Sequence, residues 1–301
     1  MHYTSIHTLN ADKKLNFVQK RLWFLFNYLN NLFPSAGLHD IPARNFLADI
    51  SEEQWNQTNV KSSPSRKLSD LFWQQLPWQL IATELKHINI FDTGCGSGNY
   101  GIKLNSYSKG HIGSYTGIDL SQHDNWNTLT NIYPNFQFRS ISSDDILNEI
   151  PFETNFIISQ SAIEHFEHDL YYFEQIREFI GKTSKNTIQI HLFPSSSCLK
   201  LYGRHGVRQY TPRTISKITR LFQGFSYSLV YELGGRECNS LHWEFITKPL
   251  SQGIGDLRET QTHTYDKRLR QAIVADGKKS YGEPSFYALV IHSNWKNMIF
   301  M

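Results

Sequence analysis

Cysteine is scarce in this chain. Three in 301 residues (Cys95, Cys198 and Cys238) stand far apart, and none forms a C-x-x-C pair. A disulfide framework or a cysteine-based zinc site is therefore not expected, no metal is assigned, and a reducing compartment fits best. Cys95 lies inside a glycine-rich turn and reads as a small filler. Charge of one sign is lacking too: 30 Lys and Arg against 27 Asp and Glu give a net charge of +3. That is too little to argue for nucleic acid. Long apolar runs are missing. The most apolar stretch, LWFLFNYLNNLF from Leu22, is interrupted by Asn27, Asn30 and Asn31, and is too short and too polar to span a bilayer. The start, MHYTSIHTLNADKKLNF, has no basic region followed by an apolar run. A soluble, cytoplasmic protein is expected. No internal repeat or low-complexity tract is visible. What is present is 40% hydrophobic and 19% charged residues, enough for a real core. An aromatic content of 14% points to aromatic packing or an aromatic-walled pocket.

The chain reads as a mainly helical extension or cap over residues 1–80, followed by an α/β core over 81–301. Leu15, Val18, Leu22, Leu25, Leu29 and Leu32 recur at helical spacing over 12–33, and Pro34 ends the run. Lys13, Lys14, Lys20 and Arg21 make its start basic. Such a helix can rest on a membrane surface, but a helix packing on the main domain is the favoured expectation. RKLSDLFWQQLPWQLI reads as a further helix, ended near Pro77. Seven short apolar segments then alternate with helical ones: INIFDTG, SYTGIDL (114–120), NFQFRSIS (135–142), NFIISQS (155–161), NTIQIHLFP (186–194), FSYSLVYEL (225–233) and SFYALVIHS (285–293). Helices are expected near 123–132, 167–181 and 211–222, the last with a threonine cap and a proline at its first position. An insertion at 236–283 holds helices near 240–247 and 262–275. Alternation of this kind predicts a Rossmann-like, mainly parallel seven-stranded sheet with helices on both faces, and ligands at the carboxyl ends of its strands.

The stretch INIFDTGCGSGNYGIKL, residues 88–104, holds two overlapping glycine patterns. Gly94, Gly96 and Gly98 give G-x-G-x-G. Gly96, Gly98 and Gly101 give G-x-G-x-x-G, a dinucleotide fingerprint. Asp92 separates the two readings: at the end of the first strand it would repel a pyrophosphate at close range, whereas it suits a ligand with positive sulfonium and amino groups. Asp119 ends the second strand, where a carboxylate can take both ribose hydroxyls. Asp144 and Asp145 follow the third strand, where a carboxylate can receive an adenine amino group.

FDTGCGSG, GIDLS, SSDDIL and SQSAIEHF, in this order and spacing, resemble the class I S-adenosylmethionine-dependent methyltransferase family. They cover about residues 88–168, and the strand pattern extends the likeness to about 235. The resemblance implies roles. Asp92 and the backbone at Gly94, Gly96 and Gly98 would hold the methionine part of S-adenosylmethionine. Asp119, with the adjoining Leu120, would hold the ribose. Asp144, or Asp145 in its place, would hold the adenine, with Ile146 packed on its ring. Gln160 and Ser161 would lie beside the sulfonium.

Methyl transfer is an in-line displacement that needs the acceptor held behind the methyl group and water removed, and oxygen or amine acceptors often need a base. The candidates are His165 in IEHF, His205 in YGRHGVRQY, and His191 at the end of the fifth strand. LYGRHGVRQYTPR gathers Arg204, Arg208 and Tyr210 into a loop near the same sheet edge, as suits an anionic or polyhydroxylated acceptor. Arg66, Trp73 or Trp78 could reach the cofactor mouth from the preceding helix. The expectation is a methyltransferase acting on a small molecule or saccharide, most simply at oxygen. An NAD-dependent dehydrogenase and a non-catalytic S-adenosylmethionine-binding protein are the alternatives. No Asn/Asp-Pro-Pro-aromatic motif and no basic tract point to nucleic acid.

Overall fold

The seven expected strands form, and an eighth joins them. The computed structural model describes residues 3–35, 41–141, 145–278 and 283–300. Its strands are β1 (Ala43–Asn45), β2 (Ile88–Thr93), β3 (Ile112–Asp119), β4 (Phe136–Ser140), β5 (Phe156–Gln160), β6 (Thr187–Pro194), β7 (Ser226–Leu233) and β8 (Phe286–Ser293). They make one sheet in the order β1-β7-β8-β6-β5-β2-β3-β4. All pairs are parallel except those of β8 with β6 and β7. β5, β6 and β8 are buried at every position, because helices cover both faces. One layer gathers Leu71, Phe72, Trp73 and Trp78 against Phe156 and Ile190. The other gathers Tyr172, Phe173, Ile176 and Phe222 against Phe91 and Leu289. The short strand β1 comes from the extension and lies parallel to β7, Ala43 opposite Val230, so the first 80 residues are tied into the sheet itself.

Strand order sets where a ligand can go. From β2 the chain proceeds to β3 and β4 on one side, then crosses back to β5 and β6 on the other. The chain thus reverses direction across the sheet between β2 and β5, the switch point beside which ligands bind at the carboxyl ends of the strands.

Helix α1 (Phe17–Leu32) packs on the main domain, but through a face other than its apolar stripe. It starts with a capping box, Asn16 to the Gln19 N–H and the Gln19 side chain back to the Asn16 N–H. Its buried residues are Trp23, Asn27 and Asn30, not the leucine stripe. Trp23 Nε1 donates to the Gly206 carbonyl (3.1 Å), Asn27 Nδ2 to that of Val207 (3.1 Å) and Asn30 Nδ2 to that of Gln209 (3.3 Å). The loop at 206–209 runs through the interior and its carbonyls need donors; the asparagines supply them. Val18, Leu22, Leu25, Leu29 and Leu32 are left facing outward, with Phe17, Phe24, Phe26 and Phe33. Among the described residues no helix is long and apolar enough to cross a membrane. The insertion forms a helix Arg236–His242, continued through a π-turn, and a long helix Thr262–Lys278. Both pack on the helix Pro64–Gln74.

Candidate functional site

The glycine turn leaves β2 with Gly94, Gly96 and Gly98 all at positive φ. Gly94 carries the tightest demand: a Cβ there would lie 2.4 Å from the Cβ of Ala162, so only glycine lets this turn meet the turn after β5. The turn is closed from within. The N–H groups of Gly94 and Cys95 donate to the Ile118 carbonyl (2.8 and 3.0 Å), and that of Gly98 to the Cys95 carbonyl (3.0 Å). Asp119, at the end of β3, accepts the Gly96 N–H at 2.8 Å on Oδ2, and Trp126 Nε1 donates to the Gly96 carbonyl at 2.8 Å. A turn with these N–H groups already bound is not a cradle of free donors of the kind that holds phosphate.

Asp92 is 2% exposed. Tyr115, on β3, donates its hydroxyl to Oδ2 at 2.5 Å, while Oδ1 is buried without a partner. Burial pushes the Asp92 carboxyl up to about 7; the Tyr115 hydrogen bond opposes this and the charge of Asp119 adds to it. Repulsion of a pyrophosphate by a full negative charge is thus a weaker discriminator than the sequence implies, and the committed backbone of the turn is the better one. Leu120 is 72% exposed. Ile146 is buried, its N–H donating to Gln175 Oε1 at 2.6 Å. Asp145 is exposed, and Asp144 lies outside the described residues.

At the exit of β5, next to Ala162 where the turn approaches, is a cavity of about 310 Å³, lined by no residue of the glycine turn itself. Gln160 and Ser161 enter it from the end of β5, Glu164 and His165 from the 3-10 turn Ile163–His165, His205 from the loop after the short helix Cys198–Tyr202, and Arg66 from the helix Pro64–Gln74. Ser161 holds φ 52°, a strained value for a non-glycine residue at a strand exit. Gln160 is oriented by Trp73, whose Nε1 donates to Oε1 at 2.8 Å, and itself donates to Ser161 Oγ at 3.1 Å. Arg66 donates to the Tyr100 hydroxyl at 2.9 Å.

His165 Nδ1 lies 2.5 Å from Asp12 Oδ2. That pairing fits a proton on Nδ1 and leaves Nε2 as the free acceptor, a tautomer inferred from the partner. Burial works against ionisation of Asp12, yet the hydrogen bonds from His165 and the Gly206 N–H hold its carboxyl below the usual range. The ring of His205 stands edge-on to that of His165, centroids 4.7 Å apart, and burial, then the neighbouring His165, lowers its pKa. Glu164 is 1% exposed and neither carboxylate oxygen has a partner. Burial raises it to about 7, with His165 pulling the other way. Gly206 makes the assembly possible: a Cβ there would sit 2.8 Å from the Glu164 carbonyl and 3.4 Å from His165 Nδ1.

So Gln160, Ser161, His165 and His205 meet in one cavity, with Arg66 beside them and Trp73 behind. Other expected residues do not reach it. Arg208 is 0% exposed. Its Nη1 lies 2.8 Å from Asp169 Oδ1, without the angle a hydrogen bond requires, and its Nη2 donates to Thr4 Oγ1 and the carbonyls of His7 and Glu167. Tyr210 is buried, its ring tilted against that of Phe193 with centroids 4.1 Å apart, and it donates to Asp169 Oδ2 at 3.2 Å. Both are structural, because an arginine and a tyrosine are what a buried aspartate needs as partners. Arg204 is exposed on the loop of His205. His191 is buried, pairs with Ser159 Oγ at 2.8 Å, and is pushed by burial down to about 3, so it does not serve as a base. Trp78 is buried against Phe156. Glu164 and Asp12 also belong to the site, although the sequence pattern does not single them out. Glu164 stands in the quoted IEHF; nothing local marks Asp12.

No protein-family model matches the sequence, and no curated protein matches it. Solved structures match at low superposition. The plantazolicin methyltransferase BamL, in complex with a triazolic desmethylPZN analog and SAH, is 14% identical over 92% of this chain and 95% of that one, with a TM-score of 0.45. A SAM-dependent methyltransferase from Archaeoglobus fulgidus is 15% identical over 80% and 97%, with a TM-score of 0.45. The [4+2]-cyclase SpnF is 10% identical over 89% and 94%, with a TM-score of 0.45. Identities and scores this low leave activity to be argued from the chain's own residues.

Proposed function

We propose that the protein is an S-adenosylmethionine-dependent methyltransferase acting on a small-molecule or saccharide acceptor, at oxygen. The observation that carries this is one juxtaposition: a closed glycine turn with an orphaned buried acceptor, Asp92 Oδ1, beside a cavity lined by Gln160, Ser161 and two histidines. An ammonium group is the kind of donor that answers Asp92 Oδ1, and a phosphate is not. The residues thus fit the methionine part of the donor. The remaining contacts follow the sequence: Asp119 and Leu120 at the ribose, Asp144 or Asp145 at the adenine with Ile146 beneath it, Gln160 and Ser161 near the sulfonium. Arg66, a cation of the cavity, suits the donor's carboxylate.

When bound, the donor supplies an electrophilic methyl group. The chain's own part is to place an acceptor hydroxyl in the cavity, between walls that include Tyr202 and Phe286, and to receive the hydroxyl proton at the Glu164–His165–His205 cluster. The Asp12–His165 pair keeps one imidazole nitrogen turned inward for that purpose.

Calorimetric titration of the purified chain with S-adenosylhomocysteine and, separately, with NAD tests the reading. One equivalent of the former and none of the latter is expected; the reverse would establish the dehydrogenase alternative. A methyl-transfer screen over sugars, polyols, phenols and peptides then identifies the acceptor. Cofactor binding without turnover on any of them would favour the non-catalytic alternative.

A second observation bears on partners. The outward apolar face of α1 lies beside the exposed Lys14, Lys20 and Arg21, and an apolar face with basic flanks suits an anionic lipid surface. We propose that contact. Co-sedimentation with phosphatidylserine vesicles, lost in Leu25→Glu/Leu29→Glu, is expected; a stable dimer that the same substitutions dissolve would overturn it.

A further inference from the structure

We propose that Glu164, His165 and His205 are the protein ligands of a divalent first-row transition-metal ion of the zinc, cobalt or manganese kind. One ligand atom from each lies within 4.8 Å of the other two. Bonds of about 2.0–2.2 Å to nitrogen and oxygen place the ligand atoms of one ion roughly 3–3.5 Å apart. The cluster therefore needs a contraction of about an ångström, within the reach of side-chain rotation. Two imidazoles and one carboxylate form a donor set that binds such ions and leaves further positions open.

A second observation points to a ligand independently of the spacing. The Glu164 side chain is 1% exposed, and both of its oxygens are buried with no hydrogen-bond donor. A carboxylate left that way is costly, and a cation answers both oxygens at once. The imidazoles are prepared to match. Asp12 holds His165 at Nδ1, 2.5 Å away, which keeps Nε2 unprotonated and 4.0 Å from Glu164 Oε1. A carboxylate on the far nitrogen is the usual outer support of a metal-binding histidine. The same Asp12 accepts the Gly206 N–H at 3.1 Å, and Gly206 adjoins His205. One outer carboxylate thus holds the His165 imidazole and the backbone next to His205.

The open positions would face the cavity that also holds Gln160 and Ser161. If the methyl-transfer reading holds, on which this role rests, an acceptor carrying one or two neighbouring hydroxyls would bind the ion through them. Such binding lowers a hydroxyl pKa. The O–H bond breaks and its proton leaves to solvent. The oxygen's electron pair forms the new C–O bond as the C–S bond of the donor breaks, its electrons staying on sulfur. His165 is then a ligand, and with the metal bound the ion takes the place of the side-chain base described above.

The test uses the full chain without a histidine tag, stripped with chelator and dialysed. Co²⁺ is titrated with visible absorption as the signal, and Zn²⁺ by calorimetry. One equivalent binding at micromolar concentration or tighter is expected, with ligand-field bands for Co²⁺. His205→Ala and Glu164→Gln should each weaken it at least 100-fold, and Asp12→Asn about 10–100-fold. Melting temperature and S-adenosylhomocysteine binding report that each variant is folded; should Glu164→Gln not fold, the half-buried His205 and the exposed Asp12 carry the test. No uptake at 100 µM metal, or uptake that His205→Ala leaves unchanged, would overturn the proposal in favour of a protonated Glu164 hydrogen-bonded to an imidazole. Metal uptake through these residues without cofactor binding would uphold the centre and remove the methyl-transfer reading; cofactor binding without metal uptake would do the reverse.

Discussion

Arg208→Met separates a structural arginine from one that meets substrate. Methionine keeps the apolar stem and removes only the guanidinium. In the folded chain that group sits 2.8 Å from Asp169 Oδ1 and donates to Thr4 Oγ1 (3.1 Å) and to the carbonyls of His7 and Glu167 (2.9 Å each). Removing one partner of a buried pair costs about 3–5 kcal/mol, chiefly because the other charge stays behind. Asp169 retains some support: the Ser5 N–H (2.8 Å), the Ser5 hydroxyl (2.5 Å) and the Tyr210 hydroxyl (3.2 Å). That moves the charge cost toward about 3 kcal/mol, while two orphaned carbonyls restore about 1 kcal/mol each. The net expectation stays at about 3–5 kcal/mol. At roughly 2–3 °C per kcal/mol for a chain of this size, the melting temperature should fall by about 6–15 °C.

The assay is thermal unfolding by circular dichroism at pH 7.5, with S-adenosylhomocysteine titrated well below the transition. Affinity is expected to change by less than about twofold, since the Arg208 side chain does not line the cavity. Limited proteolysis should cut the variant first near residues 4–7, the segment the guanidinium ties down. In Arg208→Met/Asp169→Leu, with both charges gone, much of the loss should return. A variant that melts within about 2 °C of the parent yet uses acceptor poorly would refute the structural assignment.

Asp92 gives a pH dependence of definite sign. Burial lifts its carboxyl from 3.8 to about 7 on folding, so between those values the folded chain keeps a proton that the unfolded chain has lost. Stability therefore falls as pH rises from about 4 to about 7, by roughly 4 kcal/mol from this group. Burial of Glu164, which lifts it from 4.5 to about 7, adds a slope of the same sign. Urea unfolding at pH 5 and pH 7.5 should show Asp92→Asn with about half the parent's loss across that range; an unchanged loss would mean Asp92 is not desolvated. Gly94→Ala places a methyl group 2.4 Å from Ala162 Cβ at φ 73°, and should cost roughly 2 kcal/mol or more. Its cofactor affinity should fall more than tenfold by calorimetry, and parent-like affinity would show that the two turns part freely.

Most strands were legible because each is an apolar run closed by turn residues, and parallel strands buried on both faces need little else. β1 was not, since Ala43–Asn45 carries no apolar signal and joins the sheet through backbone pairing with β7. The helix of residues 17–32 was legible, but its orientation was not. Periodicity locates a stripe without saying which side needs burial, and here the interior demanded donors for the carbonyls at 206–209. At the site, strand ends pointed to Gln160, Ser161 and His165 because chemistry in such sheets gathers there. Asp12 was invisible: its bond to His165 spans 153 residues. Arg208 misled because a basic loop ordinarily faces water, and its buried partner Asp169 opens a helix well before it.

The amino-terminal segment is better described as a brace than as a lid. Asn10 Nδ2 donates to the His165 carbonyl at 3.0 Å, the Ala11 N–H to the Gly206 carbonyl at 2.8 Å, and Asp12 takes both His165 Nδ1 and the Gly206 N–H. Trp23 and Asn27 hold the same loop from α1. These contacts fix the two histidines relative to each other, while the strands fix only where the polypeptide leaves the sheet. A side chain whose geometry matters is held by the shell around it, and for His165 and His205 that shell is residues 10–27. One helix therefore sets the histidine loop with its polar side and presents an apolar surface with the other. The outward face of α1 thus belongs to the helix whose other side holds the 206–207 carbonyls, while Asn10, Ala11 and Asp12, just before it, hold His165 and Gly206.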